Sequence, residues 1–568
     1  MIRKLHIPTF LITCMVVSSC VDYLEPHPFE DLADEEYVWS TPSFAEGVLM
    51  QAFQDLHPVS WRVASNEMMA VLTDDAVSSD LSSIPGHFAQ GLQSPYNNLS
   101  FLDTWQQDYE NIFYLNQFLE NLGSTLYDPD SVTNQRFIKK YKGDAFFLRA
   151  YYHWKLLKRF GGMVGGEVMG IPVVKKTLTL EESYDVPRST YMETVEEILE
   201  DCDSALQYVP ERYTGNDLVT GVQYYGSPTQ GIVRSLIGII YAYAASPAYN
   251  PDNDPVLWDS AASSLSRVLV YLDGTLNTDP LPERNFHSPE NPDFIWRSVY
   301  QESNYNNEIY HYPPSLRGSG LTNPSQNLVD AFPDSEGYPI SESEMYDPEH
   351  PYQNRDKRLY ESVIFNGSEI GLDNEIIETY TGGKDSRETY KETGTRTGYY
   401  LKKLLSNHVT LYPEQKGVEP TFYVAISKTD LYLLYAEAMN ELAGPYDRRY
   451  GLSARDAVLK IRKRAGIEQD MYLFTTAADG KDALRELIRN ERRVELCFEG
   501  YRYWDLRRWE KLEEINTDVY GMKIDRTGDS TFTYAPVMIE SREYKSIYNP
   551  IPYDELLKMN NITQNDGW

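Results

Sequence analysis

The sequence predicts an all-α fold of stacked helix pairs, interrupted by one long loop-rich stretch, and three observations carry that prediction. Apolar residues recur at steps of three and four through much of the chain. Polar residues with helix-cap spacing precede these runs, and glycines follow them. Between about residues 275 and 425 both signals give way to Pro, Gly, Asn, Ser and Tyr.

The elements follow from local patterns. Val195, Ile198, Leu199, Cys202, Ala205 and Leu206 step by three and four, as do Trp258, Ala261, Ala262, Leu265, Val268, Leu269 and Leu272. Leu431, Leu434, Tyr435, Ala438 and Leu442 repeat the pattern, and so do Ala454, Ala457, Val458, Ile461 and Ala465. Each set marks one buried helix face. Thr190 with Glu193, and Ser453 with Asp456, have capping-box spacing, while Gly161, Gly466 and Gly500 stand where helices should stop. Helices are thus expected near 40–56, 102–122, 134–160, 190–208, 229–246, 256–273, 428–442, 454–465 and 481–499. No strict repeat period is visible, so the stacking rests on helix length and amphipathicity alone.

Composition bounds the function. Of 568 residues, 41% are hydrophobic, enough for a large core. The 85 acidic against 52 basic residues give a formal net charge of −33. Such a surface repels phosphate backbones and no basic stripe offsets it, so a nucleic-acid partner is disfavoured. Aromatic residues make up 13%, with 45 Tyr against 20 Phe, which argues against disorder.

Residues 1–19 have the layout of a secretory leader, with Arg3 and Lys4 before an apolar run through Ile7, Phe10, Leu11, Ile12, Met15, Val16 and Val17. Val17-Ser18-Ser19-Cys20 resembles a bacterial lipobox, in which Cys20 is lipidated and becomes the mature N-terminus. Cleavage removes two basic residues and no acid, leaving the mature chain more negative still. Cys14 leaves with the leader, and neither Cys202 nor Cys497 has zinc-site spacing. Cys202 falls in an apolar register and reads as core, with pairing to Cys497 left open. No later run approaches the roughly 20 apolar residues of a membrane-spanning helix, so the expected anchor is lipid.

Within the irregular stretch, Trp296, Tyr300, Tyr305, Tyr310 and Tyr312 are interleaved with Asn304, Asn306, Asn307, His311 and Arg317. Flat rings and amides suit a sugar, whose C–H face stacks on aromatics and whose hydroxyls need paired donors and acceptors. The same rings would equally pack the loops onto the helices. Glu491 and Glu495, one helical turn apart, have the look of a catalytic carboxylate pair. Arg489, Arg492, Arg493, Arg502, Arg507 and Arg508 crowd the same segment, however, so these acids read as members of ion pairs. Asp252-Asn253-Asp254 gathers oxygen ligands of the type Ca²⁺ takes, but it lacks the EF-hand pattern and reads as a turn. No cofactor and no metal is expected.

The order of segments resembles the SusD/RagB family of Bacteroidetes outer-membrane lipoproteins. The resemblance is carried by Phe147-Leu148-Arg149-Ala150-Tyr151-Tyr152, Phe160-Gly161-Gly162 and Ile171-Pro172-Val173. It continues with Leu431 to Asn440, Ile461-Arg462-Lys463-Arg464-Ala465-Gly466, Glu491-Arg492-Arg493-Val494-Glu495-Leu496 and Phe498-Glu499-Gly500. The last blocks are Arg502-Tyr503-Trp504-Asp505-Leu506, Arg508-Trp509, Asn549-Pro550-Ile551-Pro552 and Gln564-Asn565. Two departures touch loops: Gly165-Gly166 lengthens the segment before Ile171-Pro172, and the chain ends in Trp568.

The resemblance implies one domain from 20 to 568, with a tetratricopeptide-like helical scaffold at about 40–275 and 425–510 and the ligand region at about 275–425. It implies that the Glu-Arg block is structural and that Arg149, Arg462, Arg464, Arg492 and Asp505 share a polar network. It further implies a surface lipoprotein, held to the outer membrane through Cys20, that binds a glycan and passes it to a SusC-like TonB-dependent transporter without covalent chemistry. Two irregular regions are expected to meet at the ligand: Trp61, Asp74, Asp75, Tyr96, Asn97 and Asn98 from the first, and Trp296 to Arg317 from the second. Trp105, Trp258, Trp504 and Trp509 are expected in the core. A binder of peptide or another nutrient with the same transporter is the second reading, and a glycoside hydrolase the third. The Lys384–Lys403 segment is the one candidate for a basic patch that would admit an acidic polymer.

Overall fold

The structure, a computed structural model, describes residues 35–54, 66–97, 99, 102–298, 302–303, 305–414 and 417–568. Residues 1–19, read from the sequence as a leader, and Cys20 lie outside the described residues.

Helices stand where the apolar steps place them. They are Pro42–Gln54, Trp105–Asn121, Ser131–Phe160, Tyr191–Leu206, Gln230–Ala245, Pro255–Asp273, Lys428–Ala443, Ala454–Arg464 and Lys481–Glu495. Each of the first seven packs against the next, and Lys428–Ala443 then packs against both Ala454–Arg464 and Lys481–Glu495. Successive helices packed in this way form a tetratricopeptide-like, all-helical scaffold. Thr190 and Glu193 make the full reciprocal capping box, and Ser453 accepts from the Asp456 amide. Trp105, Trp258, Trp504 and Trp509 are buried, as are Cys202 and Cys497, both free thiols.

Two details depart from the sequence expectation. Lys428–Ala443 is buried from Thr429 through Asn440 and not along one stripe, because helices or strands cover every side of it. The helix expected to reach 499 stops at Glu495, and Gly500, at φ +78°, caps the start of Tyr501–Arg508 instead. Asp254, in the loop read as a turn, uses its side chain to cap Pro255–Asp273 through the Val256 amide. Gly165 and Gly166, both at positive φ, form the two-residue turn of a hairpin between Gly162–Val164 and Glu167–Met169.

The irregular excursion leaves and returns at one place, since Phe294–Arg297 pairs antiparallel with Val424–Ser427. Inside it, short strands pair locally, as Val363–Ile364 does with Tyr400–Leu401. Ala76–Ser78, from the early inter-helix segment, crosses into the excursion and pairs antiparallel with Thr322–Pro324. A hairpin not expected from the sequence, Asp518–Arg526 with Phe532–Ser541, follows the last scaffold helices.

Buried ion pairs join these parts, and the helix Lys481–Glu495 takes part in several of them. Glu491 accepts from Arg358 at 2.6 Å and from Arg462 at 3.1 Å; Glu495 accepts from Arg464 at 2.7 Å and from Arg358 at 2.9 Å. Arg492 binds Asp430 and Asp505 at 2.9 and 3.0 Å, and Arg493 binds Asp74 and Asp75 at 2.7 Å each. Arg149 stands apart from this network. It binds Asp201 through two bonds of 2.7 Å and Asn116 through a third, tying three early helices together.

Burial by itself would raise the Glu495 carboxyl, but Arg464, Arg358, Arg284 and Lys403 hold it down at about 2. A carboxyl depressed in the folded state adds stability that is complete above its unfolded value near 4.5 and is lost as the pH falls towards 2. The thermal midpoint is therefore expected to drop between pH 5 and pH 2.5, and to drop less steeply in Glu495→Gln. A midpoint flat over that range would contradict the assignment.

Candidate functional site

The pairing of Ala76–Ser78 with Thr322–Pro324 brings the early segment against the irregular region, and a polar cleft of about 150 Å³ lies beside it. The early segment is held there by backbone bonds. Ser79 N donates to Leu321 O, and the guanidinium groups of Arg387 and Arg396 cap the carbonyls of Ser79 and Ser78 at 3.0 and 2.9 Å. Ser83 then starts the short helix Ile84–Ala89, accepting from the Gly86 amide. From this turn and helix the cleft takes Asp80, Leu81, His87 and Gln90; from across it come Arg396, Ile539 and Glu540.

The cleft mixes charges and neutral polar groups at close range. Arg396 lies 2.8 Å from Glu540. Asp80 accepts the Ser82 hydroxyl and amide at 2.7 and 2.8 Å; these bonds, with His87 and Arg387 nearby, lower its carboxyl pKa. Glu67 stands behind the cleft and takes the Ser78 hydroxyl at 2.5 Å. Burial raises its carboxyl, a rise opposed by Ser78 and Ser83 and reinforced by Asp80 and Glu540. His87 and Gln90 are exposed, and Leu81 and Ile539 add aliphatic carbon to the lining. Carboxylate, amide, imidazole and guanidinium beside aliphatic carbon form a surface complementary to a polyol with one apolar face.

Several residues expected at the ligand have structural roles instead. Asp74 is buried, with its carboxylate bound by Arg493 and Arg502. Trp296 is buried against Phe147 and Tyr151, its indole N–H donating to Gly226 O. Tyr312 is buried and donates its hydroxyl to Ser406 O at 2.7 Å. Other expected residues do reach the surface. Tyr96 is 74% exposed, its ring 4.4 Å from that of Tyr553, and Asn97 beside it is exposed. Arg317 is exposed over the ring of Tyr412, and Tyr310, half-buried, accepts the Leu321 amide next to the cleft. Tyr305 opens the helix Tyr305–His311; its side chain, like Trp61 and Tyr300, lies outside the described residues.

Cations of the Lys384–Lys403 segment are largely engaged within the fold. Lys384 pairs with Glu375, Arg396 with Glu540 and Lys403 with Glu499, while Arg387 spans the Ser79, Glu392 and Gly394 carbonyls. Glu491 and Glu495 are buried and bound by three arginines, an arrangement that joins segments of the fold. Among the described residues no group of His, Cys, Asp and Glu has a metal-binding arrangement, and no helix is long and apolar enough to cross a membrane.

Residues 292–568 match the profile described as the SusD family, and residues 35–222 match one described as starch-binding, associating with the outer membrane. The chain is similar to the SusD-like protein P38 of Formosa agariphila, at 23% identity over 91% of this chain and 93% of that one. Among solved structures it resembles a SusD-like protein of Bacteroides fragilis, with TM-score 0.71 and 23% identity, covering 95% of this chain and 100% of that one. It also resembles a SusD-like carbohydrate-binding protein of the same species, with TM-score 0.68 and 21% identity, covering 93% of this chain and 100% of that one.

Arg396 and Glu540 pair within the cleft lining, and Arg542 also binds Glu540. A double-mutant cycle with Arg396→Ala and Glu540→Ala, read by urea denaturation, is expected to give a coupling of about 0.5–3 kcal/mol. Strict additivity would show that the pair does not hold the wall.

Proposed function

The chain belongs to the SusD/RagB family, and from that premise we propose that it captures an oligo- or polysaccharide at the cleft and hands it to a SusC-like TonB-dependent transporter in the outer membrane. As a member of a family of binding proteins it is not an enzyme. The observation that carries the glycan reading is the cleft itself, where the donors and acceptors of Asp80, His87, Gln90, Arg396 and Glu540 stand beside the aliphatic carbon of Leu81 and Ile539. The starch-binding description that matches residues 35–222 and the carbohydrate-binding relative support the same reading.

Electrostatics favour a neutral polymer at this cleft. Asp80, Glu540 and the Glu67 behind them are acidic, and Arg396 is already paired. The formal charge of −33 adds repulsion for polyanions over longer range. A repeating polymer engages such a site many times, so effective concentration compensates for weak single contacts. In this reading acylated Cys20 supplies the membrane anchor and docking to the barrel adds to it, since one acyl chain alone binds membrane marginally.

Native affinity gels with a panel of neutral and acidic polysaccharides, combined with reducing-end assays, test this. Retardation by a neutral glycan with no new reducing ends is the expected result. Asp80→Ala with His87→Ala should weaken retention about tenfold, with a stability change of the small size usual for surface substitutions. New reducing ends would overturn the reading of the chain as a binder, and unchanged retention in the variant would move the site away from the cleft.

A further inference from the structure

A second cavity, of about 300 Å³, lies between the scaffold and the irregular region, bounded by Arg284, Phe286, Lys402, Leu404 and Glu495. It shares no lining residue with the cleft. Its cations differ in how far they are satisfied. Arg284 is bound to Glu499 and Asp293, Arg358 to Asp356, Glu491 and Glu495, and Lys403 to Glu499. Lys402 has no carboxylate within salt-bridge distance among the described residues; its ammonium donates to the Tyr360 carbonyl at 2.6 Å. An ammonium has three donors, so the carbonyl leaves two for a ligand.

The walls suit a ring that carries that ligand group. Phe286, Leu404 and Val494 are buried apolar residues of the lining, while Asn285 and Asn407 stand exposed in it with amides for hydroxyls. Leu404 holds φ +76°, a left-handed conformation that is costly for a bulky side chain and that recurs at ligand clamps. Lys402 N and Lys403 N both donate to Ser362 O, fixing the turn that presents Lys402. Burial of Lys402 lowers its pKa, with Glu361 acting in the opposite direction, so an added carboxylate would restore what desolvation takes away.

We propose that this cavity is a second binding site, for a sugar carboxylate such as a hexuronate, with Lys402 as the group that receives the carboxylate. The choice of a sugar as carrier rests on the glycan reading; the carboxylate rests on the cavity alone. Such a site would let a protein that repels polyanions at long range still select a glycan bearing an isolated acidic residue.

Isothermal titration of the full-length protein with a glucuronate-containing disaccharide, its methyl ester and a short peptide with a free C-terminus tests the proposal. The acid is expected to bind at least tenfold more tightly than the ester and to weaken with added salt. Lys402→Met should abolish that preference, and Lys402→Arg should keep part of it. Asp80→Ala with His87→Ala, which disables the cleft, should leave the acid's binding intact, so failure here is distinct from failure of the cleft reading. Equal binding of acid and ester, a preference that survives Lys402→Met, or preference for the peptide would overturn it.

Discussion

The constraint on which the rest depends is the row of buried charges on the helix Lys481–Glu495. A helix places neighbouring residues on different sides, and here each side meets a different part of the molecule. Arg492 faces the central scaffold through Asp430 and Asp505. Glu491 and Glu495 reach Arg358 within the irregular excursion, together with Arg462 and Arg464 of the neighbouring helix. Arg493 takes Asp74 and Asp75, the residues just before the strand that builds the cleft. Buried charges are tolerated only when paired and hydrogen-bonded, so each of these groups demands its partner, and the demand fixes three segments distant in sequence around one helix.

That arrangement explains why a scaffold of this kind can carry a site made of loops. The irregular excursion begins and ends on one strand pair, so its connection to the helices is local, and the ion pairs supply the remaining orientation. The early segment is held from two directions, by Arg493 and Arg502 from the scaffold and by Arg387 and Arg396 from the excursion. The cleft and the second cavity both lie along the seam so formed.

Sequence reasoning read the scaffold well because its signal is local: steps such as Leu431, Leu434, Tyr435, Ala438 depend only on neighbours. It missed the hairpin Asp518–Arg526 with Phe532–Ser541, where much of the second strand is exposed and its apolar residues do not alternate cleanly. For the site, the early segment does meet the irregular region, but through Thr322–Pro324 and not through Trp296 to Arg317, and Asp74, Trp296 and Tyr312 are buried in structural roles. A ring with a polar neighbour looks the same in sequence whether it greets a sugar or a carbonyl of its own chain, and only burial separates the cases. Arg396, Ile539 and Glu540 carried no local signal at all, since they reach the cleft by tertiary contact. His87 and Gln90 had one, in the Ser83-Ile84-Pro85 helix start that sets a short, polar-faced turn beside Asp80.

Hydrogen exchange on Arg493→Gln tests the central claim directly, because Arg493 joins the scaffold helix to the cleft wall without lining the cleft. The account predicts faster exchange at Ala76–Ser78 and Ile84–Ala89, with the amides of Lys428–Ala443 as protected as in the parent protein. Unchanged exchange over 76–89, or equal loosening of Lys428–Ala443, would contradict it.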